Sequence, residues 1–111
     1  MEKAITLTRN GDYKRIYNRG KSSVGSFLVT YAAKKSYGEI RFGITTSKKV
    51  GKAVDRNRAR RVIRESFRLL EGEIAQPVDL VFVARSRACH VKCQAVQKEM
   101  KKQLIALGII K

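Results

Sequence analysis

The chain has 111 residues, 43% hydrophobic and 31% charged, which is the composition of one globular domain rather than a disordered segment. Lys and Arg number 25 against 9 Asp and Glu, a formal charge of +16 that strains a compact fold by self-repulsion and points to a polyanionic partner, nucleic acid ahead of a membrane surface. No apolar run approaches the ~20 residues of a membrane span, and residues 1–8 lack the apolar core of a secretory signal, so the expected location is the cytoplasm.

In chain order, residues 1–8 read as loosely attached. Asn10 to Gly20 then carries a short helical pattern, with Asn10 as N-cap and Gly20 as stop. Tyr13, Ile16, Tyr17 and Gly20 fall on one of its faces at three- and four-residue spacing. Ser26–Ala33, rich in β-branched and aromatic residues, reads as a strand. A turn over Lys34–Gly38 leads to a second strand, Glu39–Thr46, expected to pair with the first as an antiparallel hairpin. Ser47–Lys52 is a polar loop that pivots on Gly51. A long helix is expected over Val54–Glu71, broken by Gly72–Pro77. Val78–Ala84 is a compact apolar strand, Ser86–Ala88 a turn, and Val91–Leu107 a last helix. The predicted fold is α+β in the order α-β-β-α-β-α, a two-layer sandwich of helices on a small, mostly antiparallel sheet. The segment from Glu39 to Ala84 forms a βαβ crossover if its two strands are parallel. The whole chain, 1–111, reads as a single RNA-binding domain.

The cysteines are Cys89 and Cys93, with His90, the sole histidine, between them. Two thiols and one imidazole fall short of a four-ligand metal site. Free thiols in a reducing compartment are the plain reading.

Residues 48–68 hold nine basic side chains and two acids, whereas residues 22–47 hold only three basic ones. The charge is therefore focused, as a binding face requires. At about 100° per residue, Ala59, Val62, Ile63, Ser66, Phe67, Leu69 and Leu70 fill one arc of the helix. Asn57, Arg60, Arg61, Arg64 and Arg68 fill the opposite arc. Arg grips phosphate bidentately and stacks on bases. A merely solvated face would mix Glu with Lys.

The run Ser47-Lys-Lys-Val-Gly-Lys-Ala-Val-Asp-Arg-Asn-Arg-Ala-Arg-Arg-Val-Ile-Arg-Glu-Ser-Phe67 resembles the signature of the bacterial ribonuclease P protein component. Asp12–Gly20, Arg41–Ile44 and Asp79–Arg85 resemble that family's first helix and the strands on either side of its basic helix. The resemblance covers roughly residues 5–107. It implies a left-handed form of the βαβ crossover, against the usual right-handed rule. It also implies the protein subunit of a ribonucleoprotein endonuclease that removes the 5′ leader of precursor tRNA. The partners implied are ribonuclease P RNA, one protein to each RNA, and precursor tRNA. Mg²⁺ enters through the RNA and the substrate, and no catalytic or metal-binding residue is expected on the protein.

Carried over residue by residue, Lys48, Lys49, Lys52, Arg58, Arg61 and Arg68 are implied contacts to the RNA subunit. Arg56, Asn57, Arg60 and Arg64 are implied as the helix wall of a leader cleft between that helix and the sheet. Tyr13, Tyr17 and the Thr30 position are implied as its remaining lining. The family often has an aromatic where Thr30 stands. Here the aromatics are Phe27 and Tyr31, which strict alternation puts on the other face. Single-strand binding without fixed sequence needs backbone charge and stacking, which both surfaces offer. Two other classes remain open from sequence. A small ribosomal protein shares the charge and the Arg helix, and a helix-turn-helix DNA binder would need two helices joined by a tight turn.

Overall fold

The computed structural model describes residues 4–111. Five strands, β1 (Ile5–Thr6), β2 (Lys21–Val24), β3 (Leu28–Lys34), β4 (Arg41–Thr45) and β5 (Val78–Ala84), alternate with three helices, α1 (Asn10–Arg19), α2 (Ala53–Leu70) and α3 (Cys93–Ala106). Short 3-10 turns cover Lys48–Val50, Glu71–Glu73 and Ser86–His90. Among the described residues no helix is long and apolar enough to cross a membrane.

The sequence Val-Asp-Leu-Val-Phe-Val-Ala of β5 is too apolar to leave either face in water, and this strand takes the middle of the sheet. The strand order is β1-β4-β5-β3-β2. β4 pairs with β5 in parallel, Phe42 beside Leu80 and Ile44 beside Phe82. β3 pairs with β5 antiparallel, Thr30 beside Phe82 and Tyr31 beside Val81. The expected hairpin between the strands on either side of Lys34–Gly38 is therefore absent. Central β5 separates them, because its burial on both faces outweighs the short connection. The sheet is mixed rather than mostly antiparallel: β1–β4 and β4–β5 are parallel, β5–β3 and β3–β2 antiparallel. The parallel β4–β5 pair makes β4-α2-β5 a true βαβ unit.

Two strands come in addition to those expected. β2 follows directly on α1 and pairs with β3. β1 lies in the segment expected to be loose, and that expectation fails for residues 4–8. Ile5 N–H donates to the Ile40 carbonyl at 2.9 Å and Leu7 N–H to that of Phe42 at 2.7 Å. Ala4 and Leu7 are buried. Residues 1–3 lie outside the described residues. The α1 N-cap is Arg9 rather than Asn10.

Alternation along the strands gives the sheet two faces. Leu28, Thr30, Ala32, Phe42, Leu80, Phe82 and Ala84 face α2 and α3 in the main core. The α2 arc Ala59, Val62, Ile63, Ser66, Phe67 and Leu70 is buried as its periodicity predicts, whereas Leu69 is exposed. Phe67 holds the α2–sheet contact, its ring centroid 4.6 Å from Phe42 and 5.2 Å from Phe82. In α3, Val96, Met100 and Leu104 are buried at four-residue spacing. The Glu99 carboxylate accepts three successive backbone N–H groups, of Ser26, Phe27 and Leu28, at 2.6–3.1 Å, which fixes the turn between β2 and β3. α1 packs on the opposite face through Ile16, Leu7 and Val81. The two-layer sandwich thus gains a partial third layer, because the uncharged face of α1 needs its own apolar surface.

Candidate nucleic-acid interface

α1 runs across the strands. Tyr13 lies over β4, where a methyl group on Gly43 would overlap its ring. Ile16 packs at Val81 of β5, and Tyr17 meets Tyr31 of β3 edge to face, with centroids 4.8 Å apart and planes at 80°. The helix therefore divides this face of the sheet. On one side an open row crosses the strands, Thr45 beside Val83 beside Val29 beside Val24. Its members are half-buried, with Val24 exposed. Beside it Tyr17, 38% exposed, stands against Tyr31 of the adjoining row, giving a trough whose floor is Thr45, Val83, Val29 and Val24. Burial raises the Tyr13 phenol above its usual value of 10.0, with the neighbouring Tyr17 phenol adding to the shift.

The chain leaves the row at Thr45 and enters the basic loop. Gly51 has φ +138°, which only glycine adopts without strain, and a side chain there would also collide with Asp55. Asp55 accepts the Lys52 N–H at 3.1 Å and places a negative charge in the first turn of α2, where the helix dipole favours it. Lys48, Lys49 and Lys52 are exposed on this loop, and Asn57, Arg58, Arg60, Arg61 and Arg64 along α2, with Arg56 half-buried. Arg60 donates to Asn57 Oδ1 at 3.4 Å, and Arg58 Nε to the Cys89 carbonyl at 2.8 Å. Among the described residues none of these cations has a carboxylate partner. A row of unpaired guanidinium groups on a rigid helix is arranged for phosphate.

Three of the sequence expectations need correction. Thr30 is fully buried on the α3 side, donating to Gln103 Oε1 at 2.5 Å, so it lines no cleft. Tyr31 takes the aromatic position instead, because α1 covers the face to which odd-numbered β3 residues point. Phe27 packs against the main core. Arg68 turns inward: its Nη1 donates to Glu71 Oε2 at 2.9 Å and to the Ala4 carbonyl at 3.1 Å, and its guanidinium lies 4.9 Å from the Phe42 ring centroid. Its charge is engaged within the fold. Finally, α2 closes onto the sheet through Phe67, so no cleft opens between them. The open surface lies on the α1 side, where Tyr13 and Tyr17 stand. Thr30→Val is accordingly expected to cost about 1 kcal/mol of stability through the orphaned Gln103 amide. It should leave RNA affinity unchanged, with urea unfolding and filter binding as the two measurements.

Cys89 is buried, with its thiol 3.3 Å from the Ser86 carbonyl, and Cys93 begins α3 beside Ser66. Both are free thiols.

A basic helix stripe, a basic loop beside it and an aromatic trough on an α+β scaffold define the class of RNA-binding proteins. The sequence pattern of the family described as Ribonuclease P matches residues 1–108. The ribonuclease P protein component of Thermoanaerobacter sp. is 37% identical over 93% of this chain and 89% of the relative. That of Clostridium botulinum is 44% identical over 93% and 94%. The solved ribonuclease P protein of Staphylococcus aureus superposes with a TM-score of 0.84 at 31% identity, covering 98% of this chain and all of that one. The chain belongs to the ribonuclease P protein family, the protein subunit of ribonuclease P in tRNA 5′ processing, and its partner is the ribonuclease P RNA.

Proposed function

We propose that this chain divides its work between two RNA surfaces of the ribonuclease P holoenzyme. The loop and α2 stripe, through Lys48, Lys49, Lys52, Arg58 and Arg61, hold the RNA subunit. The trough beside α1 holds the single-stranded 5′ leader of precursor tRNA, with Tyr17 and Tyr31 as stacking platforms and Arg56, Asn57, Arg60 and Arg64 at the loop end. The observation that carries this reading is the Tyr17–Tyr31 pair, Tyr17 exposed and Tyr31 half-buried, beside an uncharged row of the sheet that ends at the basic loop. Stacking on aromatic faces and charge on the backbone tolerate any base, as a leader without fixed sequence demands. The RNA subunit carries the hydrolytic chemistry, with Mg²⁺ held by RNA and substrate. The protein positions and the RNA cleaves, with one protein per RNA, in the cytoplasm.

Tyr17→Ala tests the division. Stacking one base is worth about 1–3 kcal/mol, so the variant holoenzyme should bind precursor tRNA roughly tenfold more weakly. Its affinity for mature tRNA, which has no leader, should be unchanged. Arg61→Ala should instead weaken assembly with the RNA subunit, and so affect both substrates alike at limiting protein. Equal losses for precursor and mature tRNA in Tyr17→Ala, at saturating protein, would remove the leader from the trough.

A further inference from the structure

On the other side of α1, at the starting ends of β4 and β5, lies a basin of about 690 Å³. Six cations line it. Three of them, Arg15, Lys35 and Arg41, converge on the buried carboxylate of Asp79, with Arg15 and Arg41 also reaching Asp12. The other three, Arg19, Lys21 and Lys34, are exposed and have no carboxylate partner among the described residues. Two carboxylates thus face six positive groups in one concavity, which concentrates field as a convex surface does not. Tyr37 stands on the rim, 82% exposed, with no fold-level reason for a ring in that turn. Cations in a hollow beside an exposed aromatic match the chemistry of a nucleotide strand: phosphates inside, a base on the ring.

We propose that this basin is a second RNA site, holding two or more consecutive phosphates of an RNA strand while Tyr37 stacks on an adjoining base. The proposal rests on the chain being an RNA-binding subunit, and it adds a contact that α1 separates from the trough and from the α2 stripe. The Asp79 cluster serves as its floor. Arg41 and Asp79 are locked together by two hydrogen bonds, Nε–Oδ1 at 3.0 Å and Nη2–Oδ2 at 2.9 Å, so the cations above them are presented without reorganisation. Arg19, Lys21 and Lys34 make the variable contact. An RNA strand is preferred over a free nucleotide because the rim is open to solvent at Tyr37 and the cations spread from α1 across β2 to the end of β3.

The test is photocrosslinking of the full chain to an oligouridine containing 4-thiouridine, followed by trypsin and mass spectrometry. The expected product is the peptide Ser36–Arg41 carrying a nucleotide. Its yield should fall at least tenfold in the double variant Arg19→Glu, Lys34→Glu and stay unchanged in Lys98→Glu, an exposed cation of α3 outside the basin. Two lost phosphate contacts remove about 1.4 from the slope of log affinity against log salt, roughly 25-fold at about 0.1 M salt relative to 1 M, which accounts for that size. Both substituted side chains are exposed and unpaired, and circular dichroism verifies that the variant folds. Crosslinks confined to α1 and α2 peptides, or a Ser36–Arg41 product that survives the double substitution, would overturn the basin site while leaving the RNA-binding reading intact. Failure of the chain to bind ribonuclease P RNA at all would instead strike that reading. Pyrophosphate should compete only as well as a simple salt of equal ionic strength. Displacement at far lower concentration would assign the basin to free nucleotides and overturn the RNA strand as its occupant.

Discussion

Asp79→Ala is expected to destabilise the fold by about 3 kcal/mol, the lower end of what breaking a buried ion pair costs. Its carboxylate is 1% exposed and accepts from Arg41, from Arg15 Nη2 at 2.9 Å and from Lys35 Nζ at 2.8 Å. Removing it leaves Lys35 without a carboxylate partner among the described residues and Arg15 and Arg41 sharing Asp12 alone. The lower end applies because those side chains keep 24–42% exposure and water shares their charge. For a domain of this size the loss corresponds to a fall of roughly 10–20 °C in melting temperature. The pH dependence has a defined sign. Burial alone would raise the Asp79 carboxyl, but the bonds from Arg41 and Lys35, with their charges, outweigh it and hold the folded value below the usual one. The stabilisation is therefore complete above the unfolded value of about 3.9 and is lost as pH falls through the depressed folded value. Thermal melts from neutral pH downward should converge for wild type and Asp79→Ala only in that acid range. Equal melting temperatures at neutral pH would show that the cluster contributes nothing to the fold.

The double reversal Arg60→Glu, Arg64→Glu is expected to weaken RNA binding on the order of 50-fold at moderate salt. Each lost phosphate contact removes about 0.7–0.9 from the slope of log affinity against log salt, and the new carboxylates repel the backbone besides. Both side chains are exposed and lie off the buried arc of α2, so stability should change little. Filter binding across a salt series reads the affinity and the slope together. An unchanged slope in a folded variant would eliminate this helix face as the RNA contact.

What was legible in the sequence was local. The ends of β5 coincide with those of its apolar run, and α2 differs from its expected span by one residue at each end, because an apolar segment interrupted only by Asp79 and a 3.6-residue period are written in neighbouring residues. The Arg stripe followed from the same period. Pairing was not legible: that β5 enters between β3 and β4 depends on which strand gains most from being covered twice, a comparison across fifty residues. The misassignment of Thr30 has the same origin. Alternation separated Thr30 from Tyr31 correctly, but nothing in β3 says which face α1 will cover. Arg68 lies within the basic arc; its i+3 partner Glu71 is close in the chain, but only the fold brings Ala4 and Phe42 around it. The Asp79 basin is not legible in the sequence because α1, β2, β4 and the stretch 34–35 each supply only one or two of its cations.

The central claim is that this chain enables ribonuclease P RNA to process leader-bearing tRNA. The direct measurement is cleavage of precursor tRNA by a bacterial ribonuclease P RNA at low Mg²⁺, with and without the purified chain. Addition of the chain should raise the cleavage rate strongly, and a substrate with a leader several nucleotides long should gain more than one with a single-nucleotide leader. An RNA that cleaves both substrates at the same rate whether or not the folded chain is present would contradict the account.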